Sequence, residues 1–178
     1  MGQHGSAYYA EVLEKLIGKE APDKTILLGD LLYHGPRNDL PRDYDTKRVT
    51  AILNGLKNKV LAVRGNCDSE VDQMVLEFPI MADYMALFLE GRMVFVTHGH
   101  LFNEENLPNF GKGDVLIHGH THLRVAADRG DYFFLNPGSM SLRKVKRKGW
   151  QCLPNLMTLS MKGSIPVFDH GMISFPTY

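Results

Sequence analysis

Apolar side chains along the first 140 residues follow two different spacings. Tyr9, Val12, Leu13, Leu16 and Ile17 recur at i, i+3 and i+4 over residues 8–20, the stripe of an amphipathic helix that Gly18 and Pro22 bring to an end. Val49, Ile52, Leu53 and Leu56 repeat the pattern over residues 46–57. After each helix the chain has a short continuous apolar run, residues 24–28 closed by Gly29 and Asp30, and residues 60–63 closed by Arg64, Gly65 and Asn66. Runs of this length between turn residues predict strands buried on both faces. Residues 34–45, rich in Gly, Pro, Asn and Asp, predict a loop. Further on, residues 70–77 predict a short helix, 85–89 and 93–97 a hairpin around Glu90-Gly91-Arg92, and 114–117 another strand. Residues 125–127 and 132–135 predict a second hairpin across Asp128-Arg129-Gly130-Asp131.

Four of the predicted strands run directly into Gly-Asp, Gly-Asn and, twice, His-Gly-His. Polar residues therefore gather at the carboxyl ends of strands, the edge where open α/β sheets form ligand sites. Composition adds exclusions. The chain has 178 residues with 20 Lys plus Arg against 20 Asp plus Glu. This balance gives no basic excess for a nucleic-acid or membrane partner, and the length suits a single domain spanning 1–178. Two cysteines, Cys67 and Cys152, make neither a disulfide framework nor a CxxC zinc site, and no apolar run approaches the ~20 residues of a membrane span. With no leader-like start, a soluble cytoplasmic protein is expected. Five of the eight histidines fall between positions 98 and 122, a clustering that requires a chemical reason.

Asp30, Asn66, His98, His120 and His122, with His4 as a sixth, supply imidazole nitrogen and carboxylate or amide oxygen without thiolate. Such a set suits Mn, Fe, Zn, Co or Ni. Six donors point to two ions, which at a spacing of about 3.5–4 Å need a bridging carboxylate, and Asp30 is the candidate. Gly29-Asp30-Leu31, Gly65-Asn66-Cys67-Asp68, Thr97-His98-Gly99-His100 and Gly119-His120-Thr121-His122 resemble the ordered motifs of the calcineurin-like metallophosphoesterases. More narrowly, His34-Gly35-Pro36-Arg37-Asn38, the run from Arg64 to Met74, the run from Leu101 to Pro108, and Asn136-Pro137-Gly138-Ser139 resemble the bacterial YfcE-type phosphodiesterases. The resemblance covers about residues 4–142. It implies an α/β fold, a two-sheet sandwich flanked by helices on both outer faces, and two divalent metal ions, manganese first. His4, Asp30 and His122 would hold one ion, and Asp30, Asn66, His98 and His120 the other. The implied reaction is hydrolysis of a small phosphodiester or phosphomonoester by in-line attack of a metal-bridging hydroxide. The resemblance is also compatible with a homo-oligomer.

Departures from the family pattern refine these expectations. Gly2 stands where the family's Asp-x-His motif has its Asp, and no apolar strand precedes it. A missing first strand, one weakened metal site and reduced activity are expected, with a mis-set start codon as the origin. Cys67 stands where many metallophosphoesterases have a proton-donating His, and a thiol with a pKa of ~8.5 substitutes poorly. His34, Arg37 and His100 remain candidates for leaving-group or phosphate contacts. Beyond residue 142 no family motif is recognisable, which suggests a shifted reading frame, and the basic run at 143–148 reads as a solvated face. In the plainer readings Cys67 only packs and Asp68 only caps the following helix. The rival function is a metal-poor scaffold, as in the retromer scaffold subunit, which resembles these enzymes. A nuclease lacks the basic groove it would need.

Overall fold

The computed structural model describes residues 3–142 and, as backbone strands, residues 158–162 and 165–169. Helix α1 (Ala7–Glu20) begins at Ser6, whose hydroxyl accepts from the Tyr9 N–H, and ends at Ala21 in the left-handed region. Helix α2 (Thr46–Gly55) begins at Asp45, which accepts from the Arg48 N–H at 3.0 Å. Their apolar stripes, led by Leu13, Ile17, Val49 and Leu53, pack together on one face of the parallel pair β1 (Thr25–Leu27) and β2 (Val60–Ala62). Strand alternation sends Leu27, Val60 and Ala62 toward the helices and Ile26 away from them; Leu28 and Val63, one residue past each strand, follow Ile26.

That second set meets the other sheet. Its strands are β3 (Tyr84–Leu89), β4 (Arg92–Thr97), β5 (Asp114–Ile117), β6 (Arg124–Asp128) and β7 (Tyr132–Pro137), in the order β3-β4-β5-β7-β6. The three inner strands β4, β5 and β7 run parallel, and the edge strands β3 and β6 pair antiparallel through the two predicted hairpins. Val94, Val96, Val115 and Leu135 fill the space between the sheets with Leu28 and Val63. On the outer face Phe95, Leu116 and Phe134 are covered by Phe102 and Phe110 from the loop after β4. The helices expected over that face are not among the described residues; this aromatic loop takes their place.

Short helix α3 (Glu70–Val75) is started by a capping box between Ser69 and Asp72. Strands β8 (Thr158–Lys162) and β9 (Ile165–Asp169) form an antiparallel hairpin. The result is a mixed α/β fold of two stacked sheets with helices. The N-terminal segment is held without a strand: the N–H groups of His4 and Gly5 donate to the carbonyls of Asp30 and Leu31, each at 2.9 Å. Gly2, the basic run at 143–148 and the expected frame change near 142 lie outside the described residues, apart from Leu142 itself.

Candidate metal centre

The loops leaving β1, β2, β4 and β5 converge at one edge of the stacked sheets, and the segment at His4 joins them. Asp30 occupies the middle of this cluster. Its Oδ2 lies 3.8 Å from His4 Nε2 and 3.4 Å from His98 Nε2. His98 Nε2 also lies 3.0 Å from Asn66 Oδ1 and 3.1 Å from His120 Nδ1. The His122 ring stands edge-on to His4 at 5.0 Å. All six predicted ligands are thereby brought together, with Asp30 between the His4 and His98 sides.

Local backbone shape explains why these residues carry the site. Seven non-glycine residues have positive φ among the described residues, and four of them are His4 (52°), Asp30 (54°), His120 (58°) and His122 (61°). Each such residue costs of order 1–2 kcal/mol, and strain of this kind concentrates at functional sites. The glycines beside them are sterically required. A Cβ on Gly65 would sit 2.2 Å from Asp30 Oδ1, and one on Gly29, at φ +83°, would sit 2.3 Å from the Gly65 nitrogen. The ends of β1 and β2 abut so closely that only glycine fits.

Two buried polar residues hold the loops in place, and neither stood among the predicted site residues. Asp68 does not cap α3, a role Ser69 fills. Its carboxylate instead accepts from the N–H groups of Asp30 (2.8 Å), Leu31 (2.8 Å) and Gly65 (2.7 Å), tying the two glycine turns together. Burial raises its carboxyl pKa above the ordinary value against the pull of those three donors. Asn136, at the end of β7 and fully buried, donates to the Gly119 carbonyl at 2.8 Å and to Thr121 Oγ at 3.0 Å. Both lie in motifs noted above, Asn136 in Asn136-Pro137-Gly138-Ser139 and Asp68 at the end of Gly65-Asn66-Cys67-Asp68, although the local sequence does not show which N–H groups Asp68 binds.

The donors as placed touch one another, and among the described residues no group of three His, Cys, Asp or Glu side chains is arranged to hold an ion. Their chemistry nevertheless fits a divalent cation. His98 Nδ1 donates to the Leu28 carbonyl, which fixes its proton there and leaves Nε2 bare. Burial pulls the His98 pKa down to about 3, so the ring is neutral. A bare imidazole nitrogen, an amide oxygen and a carboxylate oxygen thus face each other across 3.0–3.4 Å. Lone pairs of the buried Asp30 and His98 that converge with the amide oxygen at the cleft edge call for a shared positive charge. Asp30 reports the same tension: burial foremost, with the Asp68 charge, pushes its carboxyl up to about 6 although the Cys67 N–H donates to it at 2.9 Å.

A cleft of about 560 Å³ opens beside the cluster, lined by Asp30, Asn66, His120 and His122 and by Gly35, Arg37, Asn38 and Cys67 among others. Arg37 and Cys67 therefore reach the site. Burial first, and then the charges of Asp30 and Asp68, pushes the Cys67 thiol up to about 12. His34 is not among the lining residues; its ring stands edge-on to Tyr33 at 4.9 Å and to Tyr44 at 5.2 Å. His100 stands half-buried beside the cluster, with its ring 5.3 Å from His98 and 6.3 Å from His120, and burial lowers its pKa.

Comparison with known proteins agrees with this geometry. The phosphodiesterase YfcE of Escherichia coli K12 is 51% identical over 141 residues, covering 79% of this chain and 77% of that protein. The solved structure of that Escherichia coli phosphoesterase superposes with a TM-score of 0.79 at 50% identity, over 81% of this chain and 79% of that one. A Vps29 structure from Entamoeba histolytica shares the fold alone, with a TM-score of 0.55 at 20% identity over 89% of this chain and 79% of that one. The calcineurin-like phosphoesterase superfamily domain matches residues 4–157. With its strand-end motifs assembled around Asp30 and this domain match spanning most of its length, the chain belongs to the calcineurin-like phosphoesterase superfamily.

Proposed function

We propose that the chain hydrolyses small phosphodiesters in the cytoplasm at a centre of two divalent ions, manganese first. His4, Asp30 and His122 hold one ion, and Asp30, Asn66, His98 and His120 the other. The observation that carries this reading is the position of Asp30, within 4 Å of histidines on both sides and open to the cleft that holds Arg37. When bound, such ions supply Lewis acidity toward phosphoryl oxygens and lower the pKa of water. The chain's own residues do the rest. Among the described residues lining the cleft, Arg37 supplies the guanidinium that would face a phosphate, matching a singly charged diester. The Leu28 carbonyl accepts from His98 Nδ1–H, which leaves Nε2 unprotonated and facing Asn66 Oδ1 and Asp30 Oδ2. Gly2, in place of the family's Asp, leaves the His4 side with fewer donors, so one ion is held more weakly and turnover is lower than in relatives that keep the Asp.

Turnover of bis-p-nitrophenyl phosphate with added manganese tests the reading. Asn66→Ala and His120→Ala are expected to lower kcat/KM at least ~100-fold, beyond the range for residues behind the ligands. A folded sample that turns over nothing at any manganese concentration overturns the proposal in favour of a scaffold.

Cys67 gives a second, smaller test. A thiol with a pKa of about 12 transfers no proton usefully at neutral pH, so its place in the cleft is one of packing. Cys67→Ser is expected to change kcat by less than about threefold, with no shift in the pH–rate profile, because proton transfer from a positioned acid is worth ~100-fold or more. A tenfold loss would make the thiol the leaving-group acid.

A further inference from the structure

Resting on the metal reading above, we propose that the end of β7 and the short segment following it are the positioning shell of the centre, with Ser141 ordering the His4 side and Asn136 the His120–His122 loop. Ser141 Oγ lies 2.9 Å from His4 Nδ1. A hydroxyl that accepts from Nδ1–H fixes the tautomer with Nε2 unprotonated and turned to Asp30, 3.8 Å away. Five residues earlier, the fully buried Asn136 amide group reaches the other side. Its Nδ2 spans the Gly119 carbonyl and Thr121 Oγ, the residues on either side of His120, and its Oδ1 accepts from the Gly138 N–H at 2.8 Å. The amide thereby locks the loop in which His120 and His122 take positive φ. The Gly138 bond also closes the turn that carries the chain on to Ser141, so one strand end controls both halves of the site.

The two residues predict different signatures. Ser141→Ala removes only the His4 contact and is expected to weaken the more loosely held ion ~10–100-fold while leaving the other unchanged. Asn136→Ala loosens His120 and His122 together and is expected to weaken both ions. Calorimetric titration of the chelator-treated full chain with manganese reads both constants, and the visible spectrum of the cobalt-loaded chain reports coordination geometry independently of turnover. Ser141→Thr, which keeps the hydroxyl, should restore the weaker site. Support is a Ser141→Ala curve with one ion lost, a thermal midpoint of the metal-free variant within about 2 °C of wild type, and rescue by threonine. If Asn136→Ala fails to fold, the Ser141 pair still decides the matter. Unchanged manganese constants in Ser141→Ala, with wild type binding two ions, overturn the proposal alone. A folded wild-type chain that binds no divalent ion overturns the metal reading and the proposal with it.

Discussion

Asp30→Asn is expected to abolish phosphodiester hydrolysis and, at pH 7, to make the metal-free protein more stable than wild type. Both effects have one cause. Asp30 is 4% exposed, and its Oδ2 faces the unprotonated His98 Nε2 at 3.4 Å. Its carboxyl titrates near 6 in the folded chain against 3.8 as reference. Between those values the folded chain holds more protons than the unfolded one, so stability falls as pH rises. The favourable contribution of the protonated group is complete below about pH 4 and gone above about pH 6, a swing of up to ~3 kcal/mol. An asparagine carries no charge to bury. It keeps an oxygen for the Cys67 N–H and turns an N–H donor to the bare His98 nitrogen.

Thermal melts of chelator-treated protein from pH 4 to pH 8 should show this group's pH slope in wild type and its loss in the variant. At pH 7 the gain is ~1–3 kcal/mol, at about 2–4 °C per kcal/mol for a chain of this size. Added manganese should raise the wild-type midpoint and leave the variant's unchanged, since only wild type retains the shared carboxylate. A metal-free variant that melts at or below the wild type at pH 7 would remove the buried Asp30 charge as a strain on the metal-free fold.

The same chemistry explains which parts of the molecule are legible in the sequence. Strands β1, β2 and β5 announce themselves as apolar runs, and the turn after each run carries a candidate ligand, so the place of Asp30, Asn66 and His120 at the strand ends is read from position alone. The paired spacing of His120 and His122 and the strand before His98 have the same origin. Pairing is another matter. Runs buried on both faces have no alternation to separate the β1–β2 pair from the five-stranded sheet, and the packing of Leu28 and Val63 between the sheets appears only in three dimensions. His34 shows the limit of motif reading: its sequence neighbours Gly35 and Arg37 line the cleft, while its own ring packs against Tyr33 and Tyr44. Asp68 shows the opposite limit, because two of its three donors belong to residues 37 and 38 positions away.

Asp68→Asn, usually a mild substitution, should therefore be one of the most damaging in the domain. If Asp68 merely capped the helix beginning at Glu70, asparagine would serve as well, and stability would move by no more than a few tenths of a kcal/mol. The observed carboxylate is instead surrounded by donors: Oδ2 accepts from the Asp30 and Gly65 N–H groups and Oδ1 from Leu31. Asparagine has one oxygen. Whichever way its amide is turned, at least one buried N–H faces an NH2 group, and both donors lose their partner. At ~1–3 kcal/mol for each orphaned group, the cost is about 2–6 kcal/mol, or roughly 4–24 °C in melting temperature. The glycine turns carrying Asp30 and Asn66 lose their common tie in the same step, so manganese affinity should fall ~10–100-fold. Ser69→Ala, which removes the actual helix cap, separates the two effects: it should cost ~1 kcal/mol and leave the manganese titration as in wild type. Equal behaviour of Asp68→Asn and wild type in both melting and manganese titration would return Asp68 to the minor role of a helix cap.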